Sequence, residues 1–359
     1  MASITISSNN AVTLSSGNSL SVNGTFSDGG TFTGSSSSTV YFGGTASISG
    51  GGTTIFYNLG VNSSATVTTA VSFSIVGTFT NSGSFTATAG IITFNSSTAQ
   101  SIGGGTFYNL YISTTNSATI SMTGNVTVNY LLRMQGTGNL IVGANTLTLY
   151  GSGISYPSSK VDATNASSTV VISSTMNISS YAFVSNAVNN LTINNNAILT
   201  ANSYTINGVL TIASGATLNL QTYALTAGAA FSTSGTGKLQ TQYNSNSALP
   251  SPFTYTFTVE YNSTTQPQVL PSGCTFSNLT LSNTYGAVTV FGGVSSTVDV
   301  SGVLAINSGA VLNMGTSTLL GTYTTSGTGT LQTQSVSATP IPSGRTFTFD
   351  VLYLSLIHI

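Results

Sequence analysis

Charge is what this sequence has least of. Nine of its 359 residues are charged at neutral pH, four Lys/Arg and five Asp/Glu, or 3 % where a globular protein averages roughly 25 %. The cations Arg133, Lys160, Lys238 and Arg345 are too scattered to build the basic groove that nucleic acid requires, so no nucleic-acid partner is expected. An acidic solvating tail is excluded on the same count. Cysteine is nearly absent: Cys274 stands alone, which excludes an intrachain disulfide and a thiolate metal cluster and leaves it the role of a small buried apolar side chain. No apolar run reaches about 18 residues, so no transmembrane helix is expected. The opening MASITISSNN lacks the basic and apolar regions of a signal peptide.

What is present argues for a folded chain. Hydrophobic residues make up 40 % and mean hydropathy is +0.30, unlike disordered chains, which combine low hydrophobicity with high net charge. LTINNN (191–196), YTINGVLTI (204–212) and ATLNLQTYALT (216–226) alternate apolar and small polar residues between Asn-Gly or Ser-Gly turn signals. No stretch carries a 3.6-residue period, and Gly and β-branched residues are too dense for stable helices.

The chain repeats itself. TSGTGKLQTQ (233–242) returns 92 positions later as TSGTGTLQTQ (325–334), and GVLTIASGATLNL (208–220) returns after 94 as GVLAINSGAVLNM (302–314). IFYNL (55–59), TFYNL (106–110), VNNL (188–191) and TFSNL (275–279) share an Asn-Leu pair, with the asparagines 51, 81 and 88 apart. We therefore expect units of about 50 residues over 1–152 and of about 90 over 153–353. Leu191/Ile193 and Leu210/Ile212 lie 19 apart, as do Ile206 and Leu225, which suits one coil of a β-solenoid. A lone coil of ~20 residues loses ~1–2 kcal/mol of backbone entropy per residue. Its few inward side chains return ~1.5–3 kcal/mol each. Coils must therefore stack to fold. Stacking also explains the missing charge, since like charges repeated in register repel. Uncharged amides can bond along the stack instead, and Asn58, Asn109, Asn190 and Asn278 are the candidates for such a ladder. Gly235/Gly237 and Gly327/Gly329 are expected to turn the chain.

The order F-x-N-L-T-x-S/N, V-x-G-x-L-x-I-x-S-G, G-T-G-x-L-Q-T-Q and P-S-G-x-T-F-T-F resembles the β-strand-repeat regions of large secreted surface proteins of Bacteroidetes-type bacteria, best over 190–353 and more weakly over 1–152. The resemblance implies a right-handed parallel β-helix and an extracellular or cell-surface location. The final LSLIHI (354–359), which holds the sole histidine, His358, resembles a translated sequencing adapter. These six residues are expected to be a scar outside the natural protein.

Catalytic constellations are hard to find. Asp28, Asp162, Glu260, Asp299 and Asp350 are widely separated, and SKVD (159–162) reads as one solvated pair on a turn. YTFTVEY (255–261) aligns with FTFDVLY (347–353) at the same offset of 92. The alternation Tyr255, Phe257, Val259, Tyr261 is kept, while Glu260 becomes Leu352 and Lys238 becomes Thr330. What the duplication preserves is core. GGG at 50–52 and 103–105 lacks the Lys-Ser/Thr of a phosphate loop and is expected at coil corners. No enzyme activity, cofactor or metal is expected. A structural or adhesive shaft of an exported surface protein is the first expectation, with surface glycans or neighbouring cell surfaces as partners and self-association through open coil edges. A polysaccharide-binding module is the alternative. Ice binding, raised by Thr86-Ala87-Thr88, is set aside because unequal motif spacings predict no regular threonine array.

Overall fold

A computed structural model describes residues 3–156, 159–244, 248–290, 296–335 and 341–354; of the terminal LSLIHI, residues 355–359 lie outside them. The chain is a parallel β-solenoid. Strands of mostly three to five residues pair in parallel with the strand one coil before and one coil after, and Ser180–Ala182 is the only helical turn among the described residues. The chain divides into two compact units, Met1–Met176 with Tyr181–Asn189, and Asn177–Ser180 with Asn190–Ile359.

Within the first unit one coil runs through Thr66–Thr69, Phe73–Ile75 and Phe79–Asn81, and the next through Ser84–Ala87, Ile91–Phe94 and Gln100–Ile102. Val67 lies beside Phe85, Phe73 beside Ile92 and Phe79 beside Ile102. Alternate residues point inward, as the period of two demands, and the interior is strung with phenylalanines. Ring centroids are 5.0 Å apart for Phe26–Phe32, 5.3 Å for Phe56–Phe73 and 5.1 Å for Phe79–Phe85, all edge-on. Such pairs contribute ~0.5–1.5 kcal/mol each beyond their buried area.

Successive coils of this unit are offset by 18 residues (Thr68 to Thr86) to 25 (Ala163 to Val188, past a bulge). The motif spacings of 51, 81 and 88 each span more than one coil, and their inequality does not prevent a regular row of hydroxyls. Residues Thr25, Ser47, Thr68, Thr86, Thr106, Thr127 and Thr148 stand beside one another on seven consecutive coils. Corners absorb the differences in length, so the strands stay in register.

The second unit has a largely aliphatic interior. Leu191 lies beside Leu210 and Ile193 beside Ile212, as their spacing of 19 predicts. Ile206 and Leu225 do not pair: Leu225 lies beside Tyr204 and Ile206 beside Ala227, an offset of 21. The two additional residues go into a corner, and because two is even the inward face is kept. Tyr255, Phe257, Val259 and Tyr261 are all fully buried, as the duplication implies. In the second copy Phe349 is buried, but Tyr353 is 62 % exposed.

The duplicated decapeptide shows a division of labour between its glycines. Gly235 and Gly327 take φ of +86° and +89°, which L-residues with a Cβ resist. Gly237 and Gly329 are close-approach positions: a Cβ there would lie 2.7 Å from Ala216 O and 2.5 Å from Ala310 O. The two copies do not lie over each other. Gln240 belongs to the row Asn219–Gln240–Glu260–Thr280–Ala305–Ser326, whereas Gln332 belongs to Thr289–Asn313–Gln332–Leu352. The repeat of 92 thus advances by whole coils plus one side.

Gly237→Ala is expected to lower the urea-unfolding free energy by ~1–3 kcal/mol through overpacking against the previous coil. Gly215→Ala, where φ is +78° but no atom lies within 4 Å, carries only the left-handed strain of ~1–2 kcal/mol. D-Ala at Gly215, which suits a positive φ, should remove that strain.

Candidate functional site

The four ladder candidates occupy different settings. IFYNL turns a corner between the strands Thr53–Phe56 and Asn58–Val61, whereas TFYNL and TFSNL lie inside the long strands Gly105–Ile112 and Cys274–Leu281. The same letters are thus used at different places on the coil. The asparagines bond to neighbouring coils rather than to one another. The N–H groups of Thr78, Val209 and Val303 donate to Oδ1 of Asn58, Asn190 and Asn278 at 2.8, 2.9 and 2.9 Å. On the other side Nδ2 of Asn58 reaches Thr39 Oγ1 at 3.4 Å, that of Asn278 reaches Thr258 Oγ1 at 3.5 Å, and that of Asn109 donates to Gly90 O at 3.0 Å.

Each of those three backbone donors follows a glycine: Gly77, Gly208 and Gly302. A Cβ on Gly302 would lie 2.6 Å from Asn278 Oδ1, and one on Gly77 would fall against Asn58 Oδ1. An Asn-Leu pair on one coil and a glycine on the next, separate in sequence, therefore form one clasp across consecutive coils. Asn109 departs from it. Its next coil carries Tyr130 where the glycine would be, in a bulge between Phe107 and Asn109, and Tyr130 stacks on Tyr108 with centroids 5.4 Å apart.

The ionisable groups assemble differently from the sequence expectation. Lys160 and Asp162 make no ion pair; Asp162 lies within the strand Val161–Ala163 and Lys160 just before it, not on a turn, and Asp162 Oδ1 accepts from the N–H and hydroxyl of Thr164 at 3.1 and 2.7 Å. The only ion pair among the described residues joins Lys238 Nζ to Glu260 Oε2 at 2.9 Å. Gln240 Nε2 donates to the same oxygen at 2.9 Å, Ser282 Oγ donates to Oε1 at 2.8 Å, and Asn307 Nδ2 donates to Ser282 Oγ at 2.8 Å. A polar seam thus crosses four coils of the second unit. Burial raises the Glu260 carboxyl, but the bonds from Gln240, Lys238 and Ser282 and the Lys238 charge outweigh it and hold the group below the usual carboxylate range. Twenty-two residues separate Lys238 from Glu260, so only the coil register reveals the pair. The second copy replaces both members, with Thr330 and Leu352.

Asp28 is buried and accepts from Thr54 Oγ1 at 2.7 Å and Gly30 N at 3.0 Å. Arg345 lies over the Tyr323 ring, 4.6 Å from its centroid, and donates to the carbonyls of Gly321 and Tyr323. Tyr323 is pushed up to about 12 by burial, which the Arg345 charge offsets in part. Cys274 is buried, as expected, and burial raises its thiol. No group of three His, Cys, Asp or Glu side chains that could hold a metal occurs among the described residues.

One patch on the first unit combines shape and chemistry. A shallow depression of about 410 Å³ is lined by Ile55, Ser72, Ser74, Ile91, Thr93 and Tyr111, among others. The next coil places Arg133 beside Tyr111, with the guanidinium carbon 5.5 Å from the ring centroid. Sequence reasoning missed this patch because its members come from four coils. Compared with known protein families, curated proteins and solved structures, the chain matches none.

Asn278→Ala is expected to cost ~1–3 kcal/mol by leaving the Val303 N–H unpaired, and Gly302→Ala a similar amount by overpacking. In the double variant the losses should fall short of their sum, because the amide that the new methyl meets is gone; additive losses in urea melts would dissolve the clasp. Glu260→Gln should destabilise the protein at neutral pH. That difference should vanish as pH falls through the lowered Glu260 pKa, because a depressed carboxyl stabilises only while ionised. Lys238→Thr/Glu260→Leu, copying the second repeat, should be less damaging than Glu260→Leu alone, which strands Lys238 and Gln240.

Proposed function

We propose that this chain is a repeat structural module, a shaft or spacer within a large exported bacterial surface protein that works outside the cell or at its surface. The observation that carries the reading is how the interior is built. In each unit the backbone groups of one coil are completed by the next, over a continuous apolar core. Nearly every polar side chain described above is spent on holding neighbouring coils together. The acids stand apart from one another, and Asp28, Asp162 and Glu260 are engaged in local structure or the polar seam, which supports a role without catalysis. Stiffness along the stack is then the property selected, and adhesion is the task of the parts so displayed.

The depression ending at Tyr111 and Arg133 favours a second reading, a polysaccharide-binding module. An aromatic ring and a guanidinium at the end of a hydroxyl-lined trough suit a sugar ring bearing a carboxylate.

Reading the native gene on both sides of this segment tests the first proposal. An export signal, further repeats and a sorting or anchoring domain are expected; a gene encoding a cytoplasmic enzyme around the segment would overturn it. A glycan array tests the second. Binding of an acidic polysaccharide lost more than tenfold in Tyr111→Ala and Arg133→Ala would establish it, and binding unchanged in both variants would remove the patch from consideration.

A further inference from the structure

One face of the first unit differs from every other surface described. Its outward row reads Thr25, Ser47, Thr68, Thr86, Thr106, Thr127 and Thr148, a hydroxyl on each of seven consecutive coils, all exposed or half-buried. The companion row two residues earlier reads Thr45, Thr66 and Ser84 and, past a break at Gly104, Asn125, Thr146 and Thr169. The residues between the rows, Ala46, Val67, Phe85, Val126 and Leu147 among them, are buried in the core. No position in either row carries a charge or an aromatic ring.

Parallel pairing spaces such a net at about 4.8 Å from coil to coil and about 6.6 Å along the strand. Threonine is stiff at χ1, and Ser47 Oγ donates to Thr25 Oγ1 at 3.2 Å, so part of the row is already ordered by its own contacts. The result is a neutral, periodic two-dimensional array of hydroxyls. A dissolved ligand gains little from such an array, since no site on it differs from the next. A solid whose own oxygens repeat on the same scale gains from every coil at once.

We infer that this face binds the surface of crystalline water. Ice offers an uncharged lattice of hydrogen-bond donors and acceptors, which complements a face without charge and with hydroxyls able to do both. Thr88, from the Thr86-Ala87-Thr88 pair, contributes little, because its hydroxyl donates to Thr69 O at 3.1 Å; the working pair on that coil is Ser84 and Thr86. The other faces break the pattern. The neighbouring outward row passes through Ile55, Ser74, Thr93, Tyr111 and Arg133, and the long outward rows of the second unit are interrupted by Lys238 and Glu260.

The test uses the full chain in an ice-recrystallisation assay and in partition into a slowly growing ice hemisphere. The folded protein should concentrate in ice and hold crystals small. Thr86→Tyr and Thr106→Tyr, at the centre of the row, should each reduce both effects tenfold or more, with circular dichroism and melting temperature near those of the parent. Thr80→Tyr, exposed on a different row beside Gly60, should leave both effects unchanged. Exclusion of the folded parent from ice would overturn the inference. So would full activity in the Thr86 and Thr106 variants, or sedimentation with crystalline cellulose or chitin by a protein that ignores ice.

Discussion

A strand in a solenoid completes its backbone hydrogen bonds only through the coils on either side, and that requirement fixes the separation of neighbouring coils at about 4.8 Å. At that separation every side chain meets its counterpart one coil away before it meets anything else. Ionised groups in such rows repel unless a partner of opposite sign stands close by, as Glu260 does for Lys238 from the neighbouring row. Apolar residues stack into unbroken interior strings, as the phenylalanines of the first unit do. Small hydroxyl and amide side chains fit anywhere on the outside. The odd composition of the chain is the imprint of this single spacing.

The sequence showed the period of two, the coil of about 20 residues and the identity of the buried faces, because these depend on neighbours close in the chain. Leu191 and Leu210 could be paired by eye because the corner between them has the same length as the repeat. Ile206 and Leu225 could not, because a corner that grows by two residues leaves no mark on the alternation. The polar seam from Lys238 to Asn307 and the hydroxyl rows of the first unit were hidden for the same reason. Their members are neighbours only after each corner has taken up its share of the chain. The identical FYNL segments misled in the opposite sense, since one bends around a corner and the other runs straight through a bulge.

The clasp between asparagine and glycine shows how two weak local signals become one specific contact. An asparagine on one coil and a missing Cβ on the next are each common in sequences of this kind. Together they give the backbone N–H beyond the glycine an acceptor that the strand ladder would otherwise have to supply. The charged seam has a similar logic: Lys238 and Glu260 both differ in the second copy, as a contact with two necessary halves predicts, while Gln240 keeps its counterpart in Gln332.

The mismatch between the 92-residue repeat and the coil works like a vernier. Copies of one segment that advance by whole coils would align in a stripe along the stack. Because this repeat overshoots by one side, Gln240 and Gln332 look out in different directions from the same axis. Any feature written into such a unit is thereby carried around the column as the chain lengthens, like the tread of a spiral stair. Elongation by duplication then widens the range of directions served, with no new sequence required.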